Sequence, residues 1–432
     1  MLSALIDFSL SNRFLVLALV LLMAVGGVSA AFVIPIDAVP DMTNVQVQVI
    51  TKAGALSPLE VERFVTYPVE STMSGLPRVQ EIRSISRFGL SVVTIVFHDG
   101  TDIFRSRQLV NERLVDARER MVHGYGNPQL GVLATALGEV LQFEVRGVGY
   151  TPMELRTLLD WEIAPQLRQT PGVTEVNSHG GFYKTFEVTV DPDRLAAQGV
   201  ALGDLFAALE HNNSSAGGGY IVHHGEQRFI RGQALLKNVA DIERVVVLKR
   251  TGGLPLLVKD VATVSIAPLI RQGAATRDGR GEVVTGMVMM LLGENSRQVV
   301  HDAKQRLAEI QQTLPHGVTL EVIYDRADLI DRTLSTVLHN LVEGGVLVMA
   351  VLLLLLGSLR AGLIVALAIP LAMLFATNVM AATGVTASLM SLGAIDFGLI
   401  VDSSVIMIEN CMRRLGHEGG TREHSAIIRD AA

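Results

Sequence analysis

Hydrophobic positions fall into two dense blocks, one near each end of the chain, with a long stretch of mixed character between them. Residues 14–36 carry no charge, and such a run is long enough for a helix of about 20 residues to cross a bilayer. Val28-Ser29-Ala30 has the small residues of a signal-peptidase site. The apolar run, however, is longer than the roughly 7–15 residues of a secretory signal core, so it is read as an uncleaved anchor. Pro35 and Pro40 end the helix, because proline lacks the N–H donor and clashes with the preceding turn. The second block opens near Thr333. Residues 333–357 hold only His339 and Glu343 as titratable groups, and residues 361–395 hold none with a charge. That second run is too long for one span, and Thr383-Gly384-Val385-Thr386 is its natural break. Three closely spaced membrane helices are expected, over residues 335–357, 362–382 and 388–411. Arg13, Arg360 and the pair Arg413 and Arg414 flank alternate ends of the four spans. The excess of Lys and Arg in cytoplasmic loops places these points inside, and the mixed region on the opposite face, the periplasm of a double-membrane bacterium.

Within the mixed region strand and helix patterns alternate. Val45, Val47 and Val49 alternate with polar residues, as in a half-buried strand. Ser57-Pro58-Leu59-Glu60 is a helix start, with serine as cap and proline at the first helical position. Residues 78–87 and 90–97 read as two strands, and 102–122 as an amphipathic helix. The order strand–helix–strand–strand–helix is the split βαβ, ferredoxin-like pattern. A second copy follows at an offset of 94 residues: Ser57-Pro58-x-Glu60 matches Thr151-Pro152-x-Glu154, and Pro77, Val79, Glu81 and Ser84 match Pro171, Val173, Glu175 and Ser178. The matched types are common ones, so chance alignment stays open beside a true repeat. Residues 141–145 would be the entering strand of the second copy, 186–190 its third strand and 202–209 its second helix. Residues 212–280 read as a β-rich insertion with a hairpin around His223-His224-Gly225. A strand over 283–292, a helix over 294–314 and a strand over 318–323 complete the unit. The fold class is therefore α+β, a membrane protein of transmembrane helices and ferredoxin-like (βαββαβ) subdomains.

Composition narrows the function. The 432 residues carry a net charge of −7, which gives no basic footprint for nucleic acid. Cys411 is the one cysteine, so there is no intrachain disulfide framework. Gly217-Gly218-Gly219 is not followed by Lys-Ser/Thr, and no phosphate loop is present. No Ser/His/Asp or metal-hydrolase spacing supports an enzyme.

The chemistry concentrates in the last span, where Asp396, Asp402 and Glu409 interrupt an apolar run. A charge at the bilayer centre costs about 2.5–3.5 kcal/mol on insertion scales, and such residues mark ion or proton paths. Asp402 and Glu409 lie seven residues apart and share a helix face; Glu409, close to Arg413, also fits the water interface. Gly393, Ala394, Gly398, Ser403 and Ser404 allow close helix approach.

These motifs resemble the resistance–nodulation–division (RND) superfamily, in its heavy-metal efflux branch. The resemblance rests on Pro35-Ile36-Asp37-Ala38-Val39-Pro40-Asp41, on Pro171-Gly172-Val173-x-Glu175-Val176-Asn177, and above all on Asp396-Phe397-Gly398-x-x-x-Asp402-x-x-Val405-x-x-x-Glu409-Asn410. It runs through the whole chain in order. It implies that Asp396, Asp402 and Glu409 form a proton relay, completed by a lysine on a span outside this chain. It implies a secondary transporter, a proton/cation antiporter with no cofactor, whose substrate is a divalent metal ion. The first aspartate of the motif resembles pumps for zinc, cobalt, cadmium and nickel, a position the copper/silver branch usually lacks; Ser403-Ser404 replaces the more familiar Gly-Ala. The implied partners are two further copies in a homotrimer, a periplasmic adaptor, an outer-membrane channel and the lipid of the inner membrane.

The implied regions are 1–36 with the first span, 37–135 as the first porter subdomain, 136–211 and 281–332 as the second, 212–280 as a docking insertion, 333–412 as spans two to four, and 413–432 as a cytoplasmic segment. Family members have a second half that repeats the first, and about two further first-half spans are expected after Ala432. Glu139 and Glu175, at equivalent-looking strand positions, are candidate metal ligands, since zinc, cobalt and nickel accept carboxylate and imidazole. His179, His211, His223 and His224 suit by type, but adjacent histidines on a strand face opposite ways. The 15 methionines read mainly as packing. An organic-solute pump of the same superfamily is the alternative substrate class. A membrane-anchored sensing module is the alternative of another kind, and it predicts no acids within the spans.

Overall fold

A helix α1 (Leu2–Ser11), not foreseen in the mixed N-terminal stretch, precedes α2 (Arg13–Val33), and β1 (Ile36–Asp37) follows. The protein is seen here as a computed structural model. It describes residues 2–33, 36–37, 43–122, 124–135, 137–233, 235–249, 253–271, 273–356, 359–383, 387–388, 397–418 and 423–431.

The first βαββαβ unit comprises β2 (Gln46–Lys52), helix α3 over residues 58–73, β3 (Val79–Arg87), β4 (Leu90–Phe97), α4 (Ile103–Arg120) and β5 (Gln129–Leu130). Its antiparallel sheet has the order β3-β4-β2-β5. Val47, Val49, Val93, Ile95 and Phe97 pack from the sheet against Val61, Val65, Val69 and Met73 of α3 and Val110, Leu114 and Ala117 of α4. Three- and four-residue spacing brings those helical positions onto one face. Asp102 caps α4, accepting from the Phe104 amide at 2.8 Å.

The second unit repeats the first down to its irregularities. It enters through β6 (Glu139–Gly147), a helix α5 over residues 152–167, and β7 (Val173–His179). Ser57 and Thr151 each donate backbone N–H and side-chain O–H to the carboxylate three residues on, Glu60 or Glu154, at 2.7–2.9 Å. Both helices contain one π turn, Glu62–Thr66 and Leu159–Ile163, two residues ahead of Pro68 and Pro165. A proline ring crowds the carbonyl four residues back. Widening the turn to i→i+5 relieves this, and the Tyr67 and Ala164 amides accordingly donate to the carbonyls of Glu62 and Leu159.

The order of strands corrects one expectation. Residues 186–190 do form a strand, β8 (Lys184–Val190), but it is not the third strand of this unit. After β8 come the helix Leu202–His211, the hairpin β9 (Ser215–His223) and β10 (Glu226–Gln233), and β11 (Ala262–Pro268). β8 pairs with β11 in a two-stranded sheet of its own, over a separate core of Leu195, Leu205, Ile242, Val258 and Val261. The helix over 202–209 belongs to that core and not to the second unit. Alternating Phe186, Val188 and Val190 specify a strand with one apolar face but not the partner it joins. The hairpin turns at His224 and Gly225, both at positive φ, as in a two-residue mirror-image turn.

The unit resumes at β12 (Ala275–Thr276) and β13 (Glu282–Met290), followed by α6 (Ser296–Thr313) and β14 (Val318–Asp325). β13 pairs with β6 on one side and with β7 and β12 on the other, and β14 borders β6. The order β7-β13-β6-β14 is that of the first unit. The tight β3–β4 turn at Phe88-Gly89 corresponds here to residues 180–281. The inserted chain thus leaves the second unit at a hairpin turn, a sheet end where insertion disturbs least, and earlier than residue 212. Phe143, Val145, Val176, Val284, Val288 and Val318 pack against Leu159, Ile163, Val300, Leu307 and Ile310 of the two helices.

Directly from β14 the chain enters α7 (Arg326–Leu356), then α8 (Leu359–Thr383), β15 (Ala387–Ser388), α9 (Phe397–Glu418) and α10 (His424–Ala431). Among the described residues Arg13–Ala31 and Arg360–Thr383 are long and apolar enough to cross a membrane, and little of either is covered by the rest of the chain. Leu22 is 73% exposed and Leu367 55%, apolar surface better suited to hydrocarbon than to water. α2 and α8 touch closely: a Cβ on Gly27 would lie 2.5 Å from the Leu374 carbonyl oxygen. Asn378 Nδ2 donates across the contact to the Met23 carbonyl at 2.9 Å. Small residues plus an interhelical amide bond are the usual adhesive between helices in lipid.

Gly286 lies mid-β13 against the fully buried Phe143, and an added Cβ would come within 2.3 Å of that ring. Overpacking of this kind costs about 1–3 kcal/mol. Gly286→Ala is expected to lower the unfolding free energy of the purified protein, taken from denaturant midpoint and slope, by that amount. Gly203→Ala, whose Cβ would meet nothing within 4 Å, serves as the comparison and leaves the unfolding free energy within about 0.5 kcal/mol of wild type.

Candidate metal and proton sites

Two helix-end contacts fix which ends of the spans lie together. β1 and β15 pair in parallel, Ile36 with Ala387 and Asp37 with Ser388, joining the distal ends of α2 and α8. At the opposite end Arg429 Nε of α10 lies 2.5 Å from Asp7 Oδ1 of α1. Asn410 Nδ2 of α9 donates to the Ala431 carbonyl at 2.7 Å, and Ile427 of α10 is fully buried. α9 therefore ends against α10, which meets α1 in turn. Its described range begins at Phe397 and extends to Glu418, past the expected limit of 411. Asp402 is on α9, about 10 Å of helix rise from Glu409, and its side chain lies outside the described residues. Asp396 lies outside them altogether. Glu409 is exposed, next to Asn410, to which Arg413 Nη2 donates at 3.3 Å.

The other candidate carboxylates lie on the five-stranded sheet. The face of that sheet towards α5 and α6 is apolar. The opposite face carries Glu139, Gln142, Glu144 and Arg146 from β6, Glu175, Asn177 and His179 from β7, and Thr285, Met287 and Met289 from β13. Glu139 reaches this face because of a bulge in β6: Leu141 is opposite Val288, yet Glu139 is opposite Met289. Val140 and Leu141 consequently both point into the core, with no exposure. On the far side of β13, Met289 is opposite Glu175. The two predicted ligands thus sit on the two strands flanking β13, about 10 Å apart at the backbone, with Met289 between them. Each is held by an amide two or three residues along its own strand. Gln142 Nε2 donates to Glu139, and Asn177 Nδ2 donates to Glu175 Oε2 at 3.4 Å.

The histidines do not join them. His179 is opposite Thr285 at the far end of β7, His211 ends a helix of the insertion, and the His223 and His224 rings stack edge-on at 4.1 Å in the hairpin turn. Among the described residues no three of His, Cys, Asp and Glu form a ligand cluster.

Further along the same face is a feature that single-strand patterns do not reveal. Glu144 and Glu321 are directly opposite on β6 and β14, an arrangement that like charges disfavour. Two arginines close them into a ring. Arg146 meets Glu144 at 2.8 Å and Glu321 at 2.5 Å; Arg277 meets Glu144 at 2.5 Å and Glu321 at 2.8 Å. Burial pushes the Glu144 carboxyl up, but the hydrogen bonds and charges of Arg146 and Arg277 together outweigh it and hold the group below its ordinary range. The Arg277 guanidinium is raised in turn, first by its bond to Glu321 and then by that to Glu144. The ring ties the turn before β13 to the centre of the sheet.

Residues 5–431 match the model of the AcrB/AcrD/AcrF family. The chain is 46% identical over 426 residues to the cobalt-zinc-cadmium resistance protein CzcA of Cupriavidus metallidurans, covering 96% of this chain and 40% of that protein. It is 40% identical to the nickel and cobalt resistance protein CnrA of the same organism, over 96% of this chain and 41% of that one. It is 36% identical to the cation efflux system protein CusA of Escherichia coli, over 94% of this chain and 39% of CusA. A crystal structure of a heavy metal efflux pump superposes on 99% of this chain and 42% of its own, with a TM-score of 0.86 and 33% identity. The chain thus spans about two fifths of the length of the curated relatives it matches.

Because the folded Glu144 carboxyl is lowered, its contribution to stability is complete above the ordinary glutamate range and is lost as the pH falls through the folded value. Arg277→Met leaves Glu144 and Glu321 sharing one arginine. The variant is expected to unfold at lower denaturant at neutral pH and to lose less stability than wild type as the pH falls, because a Glu144 carboxyl that is lowered less gives up a smaller contribution on protonation. Superimposable acid limbs, measured by urea titration across the pH range, would show that Arg277 does not set the Glu144 charge.

Proposed function

The chain belongs to the AcrB/AcrD/AcrF family, and from that premise we propose that it exports divalent heavy-metal cations, driven by protons. It acts as the inner-membrane component of a tripartite pump. The observation that carries the reading is the separation of two sets of acids. Glu139 and Glu175 flank Met289 on an uncovered sheet face in the soluble region, while Asp402 interrupts a long helix beside the apolar spans. The first set suits a dehydrated cation, since carboxylates and amides are ligands for divalent ions. The second suits protons, because a carboxyl within hydrocarbon alternates between charged and neutral forms. Each charge moved across the potential is worth about 2.3 kcal/mol per 100 mV.

In this reading α2, α7, α8 and α9 span the membrane, with α1 and α10 at the cytoplasmic surface and β1 and β15 at the periplasmic one. Both βαββαβ units then act as porter subdomains, and the inserted residues with the exposed β9–β10 hairpin form the docking region. The relay consists of Asp402 with Asp396 and Glu409. The assembly is a homotrimer with a periplasmic adaptor and an outer-membrane channel, and the metal is cargo rather than cofactor. Zinc, cobalt, cadmium and nickel are the proposed substrates, in keeping with the resistances for which CzcA and CnrA are named.

Asp402→Asn is isosteric and cannot ionise. In cells carrying the gene that encodes this chain, it is expected to reduce resistance to all four metals to the level of an empty vector, with unchanged protein in the membrane fraction. Undiminished resistance to every one of the four would overturn the relay. Glu139→Gln with Glu175→Gln is expected to abolish metal binding while leaving Asp402 and the membrane location intact.

A further inference from the structure

The proposal concerns the donor set of the ion site and rests on the reading that Glu139 and Glu175 hold the transported cation. Oxygen ligands alone do not define a heavy-metal site. Two carboxylates backed by the amides of Gln142 and Asn177 form an all-oxygen set, the kind that calcium and magnesium occupy. Both are abundant wherever a cell envelope meets its medium, so something on this sheet face has to disfavour hard ions.

The β13 strand supplies it. Met290, Val288, Gly286 and Val284 point into the core, and Met289, Met287 and Thr285 alternate with them onto the opposite face. Met289 is opposite Glu139 on one side and Glu175 on the other; Met287 is opposite Gln142 and Asn177. Both methionines are half-buried, open to this face. Directly opposed residues bring their Cβ atoms to about 4.5–5.5 Å, so the flexible thioether arm of Met289 stands between the two carboxylates, within reach of either. A packing role alone does not call for methionine on the side of the sheet turned away from its helices. Of the neighbouring strands, that face receives only polar or charged side chains at the same level.

We propose that Met289 is a specificity-determining ligand. Its thioether joins Glu139 and Glu175 in a mixed oxygen–sulfur set, with Met287 as a second sulfur one step along the strand. The set favours the softest and largest of the four candidate ions, cadmium, over zinc, cobalt and nickel, and rejects calcium and magnesium. Soft donors select soft ions even where overall affinities run the other way.

The test uses purified full-length protein and two probes, cadmium and zinc, titrated calorimetrically, with resistance to the same two metals in cells. Met289→Leu keeps volume and polarity class and is expected to weaken cadmium binding about tenfold with zinc changed less than twofold. Met289→Glu is expected to move the cadmium-to-zinc preference the opposite way from wild type, towards zinc and calcium. The ratio of the two affinities does not depend on what fraction of a variant folds, so a poorly folding variant still decides the question. An unchanged ratio in both variants overturns the role of Met289. If Glu139→Gln with Glu175→Gln still binds both metals as wild type does, the carboxylate site itself is refuted, and this inference with it. Loss of both metals in that double variant, with no ratio change in Met289→Leu or Met289→Glu, refutes the sulfur alone.

Discussion

The pairing of β13 with strands on both its sides is the constraint from which the rest of the soluble region follows. β13 reaches β6 and β7 only after the chain has travelled through residues 180–281. Closing a loop of that length rather than a tight turn costs roughly 3 kcal/mol in chain entropy, since each doubling adds about 0.6 kcal/mol. The inserted segment limits this cost by folding over a core of its own, with Val258 and Val261 fully buried. The return on closure is large. Val284 and Val288 complete the core beneath the sheet, and Arg277, just before β13, neutralises two carboxylates that would otherwise repel across β6 and β14. Met289 is brought between Glu139 and Glu175 by the same register.

The sheet divides its two faces by solvent and by task. Helices α5 and α6 cover one face and make it a conventional apolar core. The opposite face holds carboxylates, amides, arginines and thioethers in rows, and the bulge in β6 at Val140 and Leu141 aligns Glu139 with one of them. A bulge costs a ladder position and is kept where a side chain must be re-aimed. Here it exchanges a strictly alternating strand for two consecutive core residues and a carboxylate on the face turned away from the helices.

The two halves of the molecule are joined without slack. β14 ends at Asp325 and α7 begins at Arg326, so a tilt of that helix displaces an edge strand of the sheet that carries the candidate metal ligands. At the opposite end of the helices, α9 is held to α10 through Asn410 and Ala431, and α10 to α1 through Arg429 and Asp7. A displacement of α9 therefore has a mechanical connection to α10 and α1.

Much of this was legible in the residues. Charge-free runs located α2 and α8, because hydrocarbon admits few alternatives. The Ser57-Pro58-x-Glu60 and Thr151-Pro152-x-Glu154 starts revealed a repeat, because helix caps are chemistry between neighbours in sequence. Glu139 and Glu175 stood out as acids at matching strand positions, and Asp402 as a charge in an apolar helix. What local pattern could not supply was partnership. Phe186, Val188 and Val190 announced a strand, yet pairing with residues 262–268 is decided by packing across 70 residues of chain, and period-two alternation is blind to that. Glu144 and Glu321 carry no local signal of partnership; register alone sets them opposite each other with two arginines around them. Met289 looked like one more apolar residue in a buried strand. Sequence determines which stretches are helix, strand or span, since those depend on neighbours within a turn or two; only the tertiary structure decides which strands meet, because register is a property of two strands at once.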